Sequence, residues 1–170
     1  MLPKSYIVAK WTVYSLATLL LFGVQFLIFD RISLWGVIPF TYPILPAVVA
    51  MYEGLRRGSV FALCVGIICG LLLPGPFPGF YALVFVLSAI LSARVAEFLL
   101  APGWLCGLAV SAMSLVLCSF GRILFAALTG AGHLGLMARL GLFEALISLL
   151  ALLPALPLYR FIHRRCAAAY

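Results

Sequence analysis

Four long stretches without any charged residue constrain the fold of this chain more than any other feature of its sequence. They cover residues 11–29, 32–52, 58–93 and 98–121, and contain 19, 21, 36 and 24 residues. A helix needs about 20 predominantly apolar residues to cross the hydrocarbon core of a bilayer. The stretches lack the apolar–polar alternation that strands of a membrane barrel show. The sequence therefore predicts an all-α integral membrane protein.

The composition agrees with this class. Hydrophobic residues make up 66% of the chain and charged residues 9%, whereas about 45–50% and about 25% are usual in soluble domains. So few charges do not cover the surface of a soluble domain, which excludes soluble enzymes, secreted disulfide scaffolds and disordered regulators. The net charge of +7 comes from basic residues scattered between apolar runs. We therefore expect contact with membrane lipid and no nucleic-acid partner.

Proline and glycine divide the longest uncharged stretch into two helices. Residues 74–79 read Pro-Gly-Pro-Phe-Pro-Gly, a run that no regular helix accommodates. The remaining boundaries follow the hydropathy and the glycine-rich segment at 129–133. We predict one polytopic membrane domain over residues 1–170, a compact bundle of six transmembrane helices. The predicted spans are 7–29, 33–52, 58–73, 80–98, 103–128 and 140–160.

The positions of lysine and arginine predict the orientation of these spans. With six helices, eight basic residues fall on the side of the two termini and three on the other side. The side richer in lysine and arginine usually faces the cytoplasm. Both termini are therefore expected in the cytoplasm. The eight are Lys4, Lys10, Arg56, Arg57, Arg94, Arg160, Arg164 and Arg165, and the three are Arg31, Arg122 and Arg139.

Prolines gather toward the predicted outer face. Three of them lie in the second span, and the 74–79 turn is on the same side. Each proline removes one backbone donor and frees a carbonyl, which is tolerated only where neighbouring helices or water satisfy it. Two interpretations are open: an outer concavity that seats a ligand or a partner's segment, or kinks that only shape the bundle. The partner-binding candidates on this face are Pro39, Phe40, Pro43, Pro46, Phe77 and Pro78.

Small residues spaced four apart predict close helix contacts. Gly66 and Gly70 lie in the middle of the third span, on one face of a helix. Such a pair lets two backbones approach, which favours helix association in lipid. We expect packing within the chain, with contact to a second subunit as the alternative.

Charged residues near or inside spans are functional candidates. Arg122 and Glu144 are expected at matching depth, about 6–9 Å below the outer surface at about 1.5 Å per residue. They could pair between adjacent helices; alternatively, Arg122 snorkels outward and Glu144 favours its helix N-terminus. Glu53, Arg56 and Arg57 form either a cytoplasmic topology anchor or a docking patch.

Sequence motifs for catalysis are lacking. The chain contains no G-x-S-x-G, H-E-x-x-H, P-loop or paired-aspartate metal motif. Its two histidines, His133 and His163, are expected on opposite sides of the membrane, and its four acidic residues are spread along the chain. We therefore expect a protein that is not an enzyme and that uses no catalytic residue, cofactor or metal.

The order of features in the first half resembles a known family. The segment Tyr42–Gly54, then Gly58, then Gly66-x-x-x-Gly70 with three leucines, then Phe77–Phe85, is similar to rod shape-determining proteins of the MreD family. Length, six predicted spans and a short basic tail agree along nearly the whole chain. One departure is Pro74, which stands where these proteins often carry an acidic residue, so no role of that carboxylate is transferred.

The resemblance implies a non-catalytic scaffold of the bacterial cell-elongation machinery (the elongasome) in the inner membrane. Such a protein would bind a bitopic MreC-like partner and indirectly couple MreB filaments to peptidoglycan synthases. It would thereby support rod shape and lateral peptidoglycan synthesis. A partner segment would then contact the outer face, and the cationic cytoplasmic face would lie toward the filaments.

A substrate-binding subunit of an energy-coupling-factor vitamin importer is the alternative, because its size and span count are similar. The outer concavity would then hold a vitamin. Those subunits contact their transmembrane partner through small residues four apart on helix one. No such pair continues along one face of the first span here, and the outer loops lack an evident set of polar ligand groups.

Overall fold

The described part of the protein is helical, which confirms the all-α part of the expected fold class. The computed structural model describes residues 4–28, 31, 38–101, 103–130, 134–152 and 157, and none of these lies in a β-strand. The helices of the described part are α1 (Lys4–Leu27), α2 (Ile44–Glu53), α3 (Leu55–Leu72), α4 (Phe80–Phe98), α5 (Trp104–Thr129) and α6 (Leu134–Leu152).

Four of these helices are long and apolar enough to cross a bilayer. They are α3, α4, α5 and the portion Lys10–Leu27 of α1. Their outward surfaces carry large aliphatic side chains, for example Leu71, which is 83% exposed, and Leu128, which is 78% exposed. Water would disfavour such surfaces, whereas lipid solvates them. The chain therefore has the features of a multi-pass membrane protein.

The shortest helix lies at the centre of the bundle. Helix α2 has 10 residues, eight of them buried, and packs against α3, α4 and α5. At about 1.5 Å per residue it is about 15 Å long, half of the hydrocarbon thickness. The predicted helix over 33–52 is therefore wrong for its described first half, since residues 38–43 are not helical. Residues 33–37 lie outside the described residues.

Proline chemistry explains where α2 begins. Pro39 and Pro43 lack a backbone N–H, and the residue before a proline is biased away from helical geometry. Pro46 is the third residue of α2, where a backbone N–H has no intrahelical partner in any case. Helix α2 therefore begins at Ile44, so that Pro46 falls in its first turn, where a proline is tolerated.

Two glycines allow α2, α3 and α4 to pack at short range. A Cβ atom on Gly58 would lie 2.5 Å from the Cα of Ala50, and one on Gly66 would lie 2.6 Å from the Cα of Ala82. Gly70 is exposed and has nothing within 4 Å of an added Cβ. Of the predicted packing pair, Gly66 therefore forms the contact between α3 and α4, and Gly70 faces outward.

Other boundaries differ from prediction by a few residues. The break between α3 and α4 covers residues 73–79 and ends at Gly79, whose φ of 84° is left-handed. Helix α6 begins at Leu134, earlier than the predicted 140, because the sequence up to Arg139 contains no proline and Arg139 is exposed. Residues 153–156, 158–160 and the basic tail with Arg160, Arg164 and Arg165 lie outside the described residues.

The bundle has two distinct ends. Short connections make consecutive long helices antiparallel, so the start of α3 and the end of α4 share one end. This basic end carries Lys10, Glu53, Arg56, Arg57 and Arg94. The opposite turn end carries residues 73–79.

Candidate functional site

A buried non-helical segment forms the centre of the candidate site. Pro39 and Pro43 are almost fully buried, and Thr41 and Tyr42 are 6% and 4% exposed. Irregular backbone at membrane depth requires polar partners inside the protein, because lipid offers none. We name residues 38–43 the pinned segment, because side chains from three helices hold its backbone.

Gln25 of α1 holds the upper part of the pinned segment. Its Nε2 donates to the carbonyl of Pro39 at 2.5 Å, and its Oε1 accepts from the backbone N–H of Thr41 at 3.3 Å and from the Thr41 hydroxyl at 2.5 Å. The Gln25 side chain is 1% exposed. A single amide thus joins α1 to the central backbone.

Two serines hold the same segment from the other side of the bundle. Ser114 Oγ of α5 donates to the carbonyl of Pro43 at 2.6 Å, and Ser148 Oγ of α6 accepts from the backbone N–H of Phe40 at 2.7 Å. Both serines are fully buried. The backbone groups that the prolines exclude from a helix are therefore paired with helices distant in sequence.

Arg122 and Glu144 form an ion pair between α5 and α6. Arg122 Nη1 lies 3.1 Å and 3.3 Å from the two carboxylate oxygens of Glu144. The guanidinium also stacks over Phe40 of the pinned segment, 4.4 Å from the ring centroid. The Phe40 ring in turn lies 6.1 Å from the ring of Tyr81, whose hydroxyl donates to the carbonyl of Pro74 at 3.1 Å. The pair that the sequence suggested therefore links the pinned segment to the 73–79 turn.

A cleft adjoins this ion pair. It has a volume of about 390 Å³ and lies between α5 and α6, beneath Pro76. Arg122 and Glu144 form its charged part, and Ile123, Phe125 and other apolar groups supply most of the wall. Since each charge already faces its partner, the cleft is suited to apolar groups rather than to a strongly charged ligand.

The ion pair makes a testable prediction. In Glu144→Arg, two guanidinium groups face each other, so we expect a loss of about 2 kcal/mol in unfolding free energy. This lies below the 3–5 kcal/mol typical of a fully buried pair, because the side chains are 33% and 20% exposed. The double variant Arg122→Glu with Glu144→Arg restores the attraction and should regain about half of the loss. Denaturant unfolding in detergent micelles measures both values.

The matched control is the pair Arg94 and Glu97. These side chains are 3.5 Å apart, with 52% and 61% of their surface exposed. Exposed pairs contribute about 0–1 kcal/mol, so Glu97→Arg should leave the unfolding free energy almost unchanged. A swapped Arg122 and Glu144 double variant no more stable than Glu144→Arg alone would show that their pairing contributes nothing.

The outer-face candidates are not one surface. Pro39, Pro43 and Pro46 are buried in the bundle and pack inside this chain, and contact with a partner through them stays a prediction. Phe40 is half-buried beneath Arg122. The exposed candidates are Phe77, at 39% exposure, and Pro78. The three buried prolines help to shape the bundle.

The basic end also differs from the predicted patch. Glu53 Oε1 lies 2.6 Å from Lys10 Nζ and accepts a hydrogen bond from Tyr14 at 3.1 Å. Its side chain is 2% exposed, so Glu53 links α1 to α2 inside the bundle, and docking at this end stays a prediction. Arg56 and Arg57 are exposed and remain available at this end.

Sequence reasoning missed the residues that hold the pinned segment. The available signal was weak: Gln25 is the one amide side chain in its uncharged stretch, Ser114 is one of three serines in the fifth predicted span, and Ser148 is the one serine in the sixth. A serine also bonds readily to its own helix, so its presence does not indicate a distant partner. Within the described part, no group of three or more His, Cys, Asp or Glu residues is arranged to hold a metal ion.

Comparisons with known proteins assign no family to this chain. No protein-family model, curated protein or solved structure matches this chain.

Proposed function

We propose that this protein is a non-catalytic scaffold subunit of the bacterial cell-elongation machinery, of the MreD type. It would bind a bitopic MreC-like partner in the cytoplasmic membrane and support rod shape and lateral peptidoglycan synthesis. The observation that supports this proposal best is the use of buried polar side chains. Gln25, Ser114 and Ser148 bind the pinned segment, and Arg122 binds Glu144.

This use of polar groups suits a scaffold. These contacts join α1, α5 and α6 to the pinned segment and α5 to α6, so together they hold the bundle in one arrangement. A protein that positions partners needs such a rigid body with defined outer surfaces. The assignment to the cell-elongation machinery itself comes from the resemblance of segments Tyr42–Gly54 and Phe77–Phe85 to the MreD family.

The proposal includes six membrane crossings with both termini in the cytoplasm. The pinned segment and α2 together would make the second crossing, since six extended residues add up to about 20 Å to the 15 Å of α2. The basic end would face the cytoplasm, in line with the usual excess of lysine and arginine there. MreB filaments would then lie on the side of Arg56 and Arg57.

The partner's membrane segment would contact the turn end near Phe77 and Pro78. Phe77 packs against Phe80 and Phe125, with ring centroids 5.5 Å and 5.7 Å apart. These rings border an apolar groove of about 280 Å³ between α4 and α5. Aromatic side chains in a groove are typical anchors for a partner helix.

Site-specific photocrosslinking tests this surface. With a photoreactive amino acid at Phe77, we expect covalent capture of the bitopic partner in living cells. The control position is Leu16, a lipid-facing residue of α1 that is 66% exposed and should give no capture. Equal capture from both positions, or capture only from Leu16, would contradict the proposed contact.

Depletion tests the function itself. Cells that lose this protein should change from rods to spheres, and microscopy records the change. The importer alternative makes a different prediction, because depleted cells would then keep their shape and lose uptake of a vitamin.

A further inference from the structure

A second cleft lies at the basic end, between α1 and α3. It has a volume of about 500 Å³ and is separate from the site around Arg122. Because α1 and α3 have membrane-spanning length, this cleft opens on the lipid at the edge of the bilayer. The residues that line it are Trp11, Arg56, Arg57, Val60, Phe61 and Cys64.

The lining changes from charged to apolar along the helix. The α3 residues in the cleft recur at helical spacing from Arg56 to Cys64, so they share one face of α3. Eight residues correspond to about 12 Å along the helix axis. The two guanidinium groups stand at the end of the helix, and Val60, Phe61 and Cys64 extend from them toward the membrane interior. This order matches that of a phospholipid, with a phosphate above an acyl chain.

The charge of the cleft is not neutralised by the protein. Arg56 and Arg57 are exposed, and no ion pair in the described part of the chain includes either of them. The nearest acidic residue in sequence, Glu53, is engaged by Lys10 and by Tyr14. Both guanidinium groups are therefore available to an external anion.

The wall formed by α1 is fixed by aromatic packing. The Trp11 ring lies 5.9 Å from the rings of both Tyr14 and Phe61. Tyr14 is in turn bonded to Glu53. The indole thus stands at the level of the arginines, a common position for tryptophan at the membrane interface, and closes the cleft on one side.

We propose that this cleft binds one anionic phospholipid from the leaflet at the basic end. The phosphate lies between Arg56 and Arg57, and one acyl chain follows Val60, Phe61 and Cys64. Two guanidinium groups favour a lipid with net negative charge over a zwitterionic one, whose own cationic group opposes them. The site does not depend on the proposed function, because it requires only insertion of the bundle in a membrane.

Quenching of Trp11 fluorescence tests the site. In a full-length chain carrying Trp35→Phe and Trp104→Phe, Trp11 is the sole tryptophan. After reconstitution into vesicles, phosphatidylglycerol with brominated acyl chains should quench Trp11 at lower mole fraction than brominated phosphatidylcholine. Each arginine near the surface changes lipid affinity roughly fivefold. Arg56→Gln with Arg57→Gln should therefore reduce the preference for phosphatidylglycerol by about 25-fold.

Arg94→Gln is the matched control, because Arg94 is exposed at the same end but outside the cleft. It should keep the preference, and circular dichroism verifies that each variant is folded. An equal loss in Arg94→Gln would mean general surface charge, and equal quenching by both lipids in the parent chain would mean no anion site. Loss of the preference when excess inorganic phosphate is added would mean a site for free anions. Any of these three results overturns the proposal.

Discussion

Replacing Gln25 with leucine is expected to lower the free energy of unfolding by about 3–5 kcal/mol. The change removes the partners of the Pro39 carbonyl and of the Thr41 N–H and hydroxyl. Each buried polar group left without a partner costs about 1–3 kcal/mol. The pinned segment is not helical, so its backbone groups have no intrahelical hydrogen bonds that could replace those to Gln25. Lipid offers no replacement either. The backbone amide of Thr41 should also exchange its hydrogen faster.

The measurement is denaturant unfolding in micelles, followed by circular dichroism, with amide exchange by mass spectrometry. Ser15→Leu is the control on the same helix, because Ser15 is exposed and leucine is well solvated by lipid there. It should be neutral or slightly stabilising. If Gln25→Leu proved as stable as Ser15→Leu, the amide would not hold the pinned segment.

The second large effect is expected from Gly66→Leu. A Cβ atom at this position would lie 2.6 Å from the Cα of Ala82 and 2.9 Å from the carbonyl oxygen of Tyr81. Both are backbone atoms, so α3 and α4 must move apart to admit the side chain. Overpacking usually costs about 1–3 kcal/mol, and we expect the upper end of that range here. Denaturant unfolding of the purified protein gives the value.

Gly70→Leu is the matched control for this prediction. Gly70 belongs to the same pair in sequence, yet nothing lies within 4 Å of an added Cβ, and leucine has the better helix propensity. Its stability should equal or exceed that of the parent. The opposite order of stabilities would show that α3 packs through Gly70. A change in oligomeric state with Gly70→Leu would support the alternative of contact with a second subunit.

The Gln25 prediction concerns the central architectural feature of the protein, a short helix held between longer ones. Helix α2 contributes eight buried residues but crosses only about half of a bilayer by itself. Its position therefore depends on the pinned segment above it and on the Lys10 contact of Glu53 below it. Changes at either end of α2 should thus affect the whole bundle.

Much of the fold was predictable because it depends on local properties of the chain. Hydropathy over about 20 residues determines which segments enter lipid, and Pro74–Gly79 breaks a helix wherever it occurs. The break between α3 and α4 and the start of α4 at Phe80 follow from these properties. The suggestion that Arg122 faces Glu144 was also accessible, since two charges at similar depth in adjacent helices have few other partners.

Pairings between distant residues were decided only by the tertiary structure. In a chain this apolar, almost every residue suits either lipid or the core, so the sequence does not show which face of a helix turns inward. That rotation separates Gly66, packed on Ala82, from the open Gly70. It also directs Gln25 to the backbone around Pro39 instead of to lipid. The sequence by itself thus determined a helical membrane protein with a break at residues 74–79. Side-chain pairing across the bundle decided that the backbone before α2 is not helical and where it is held.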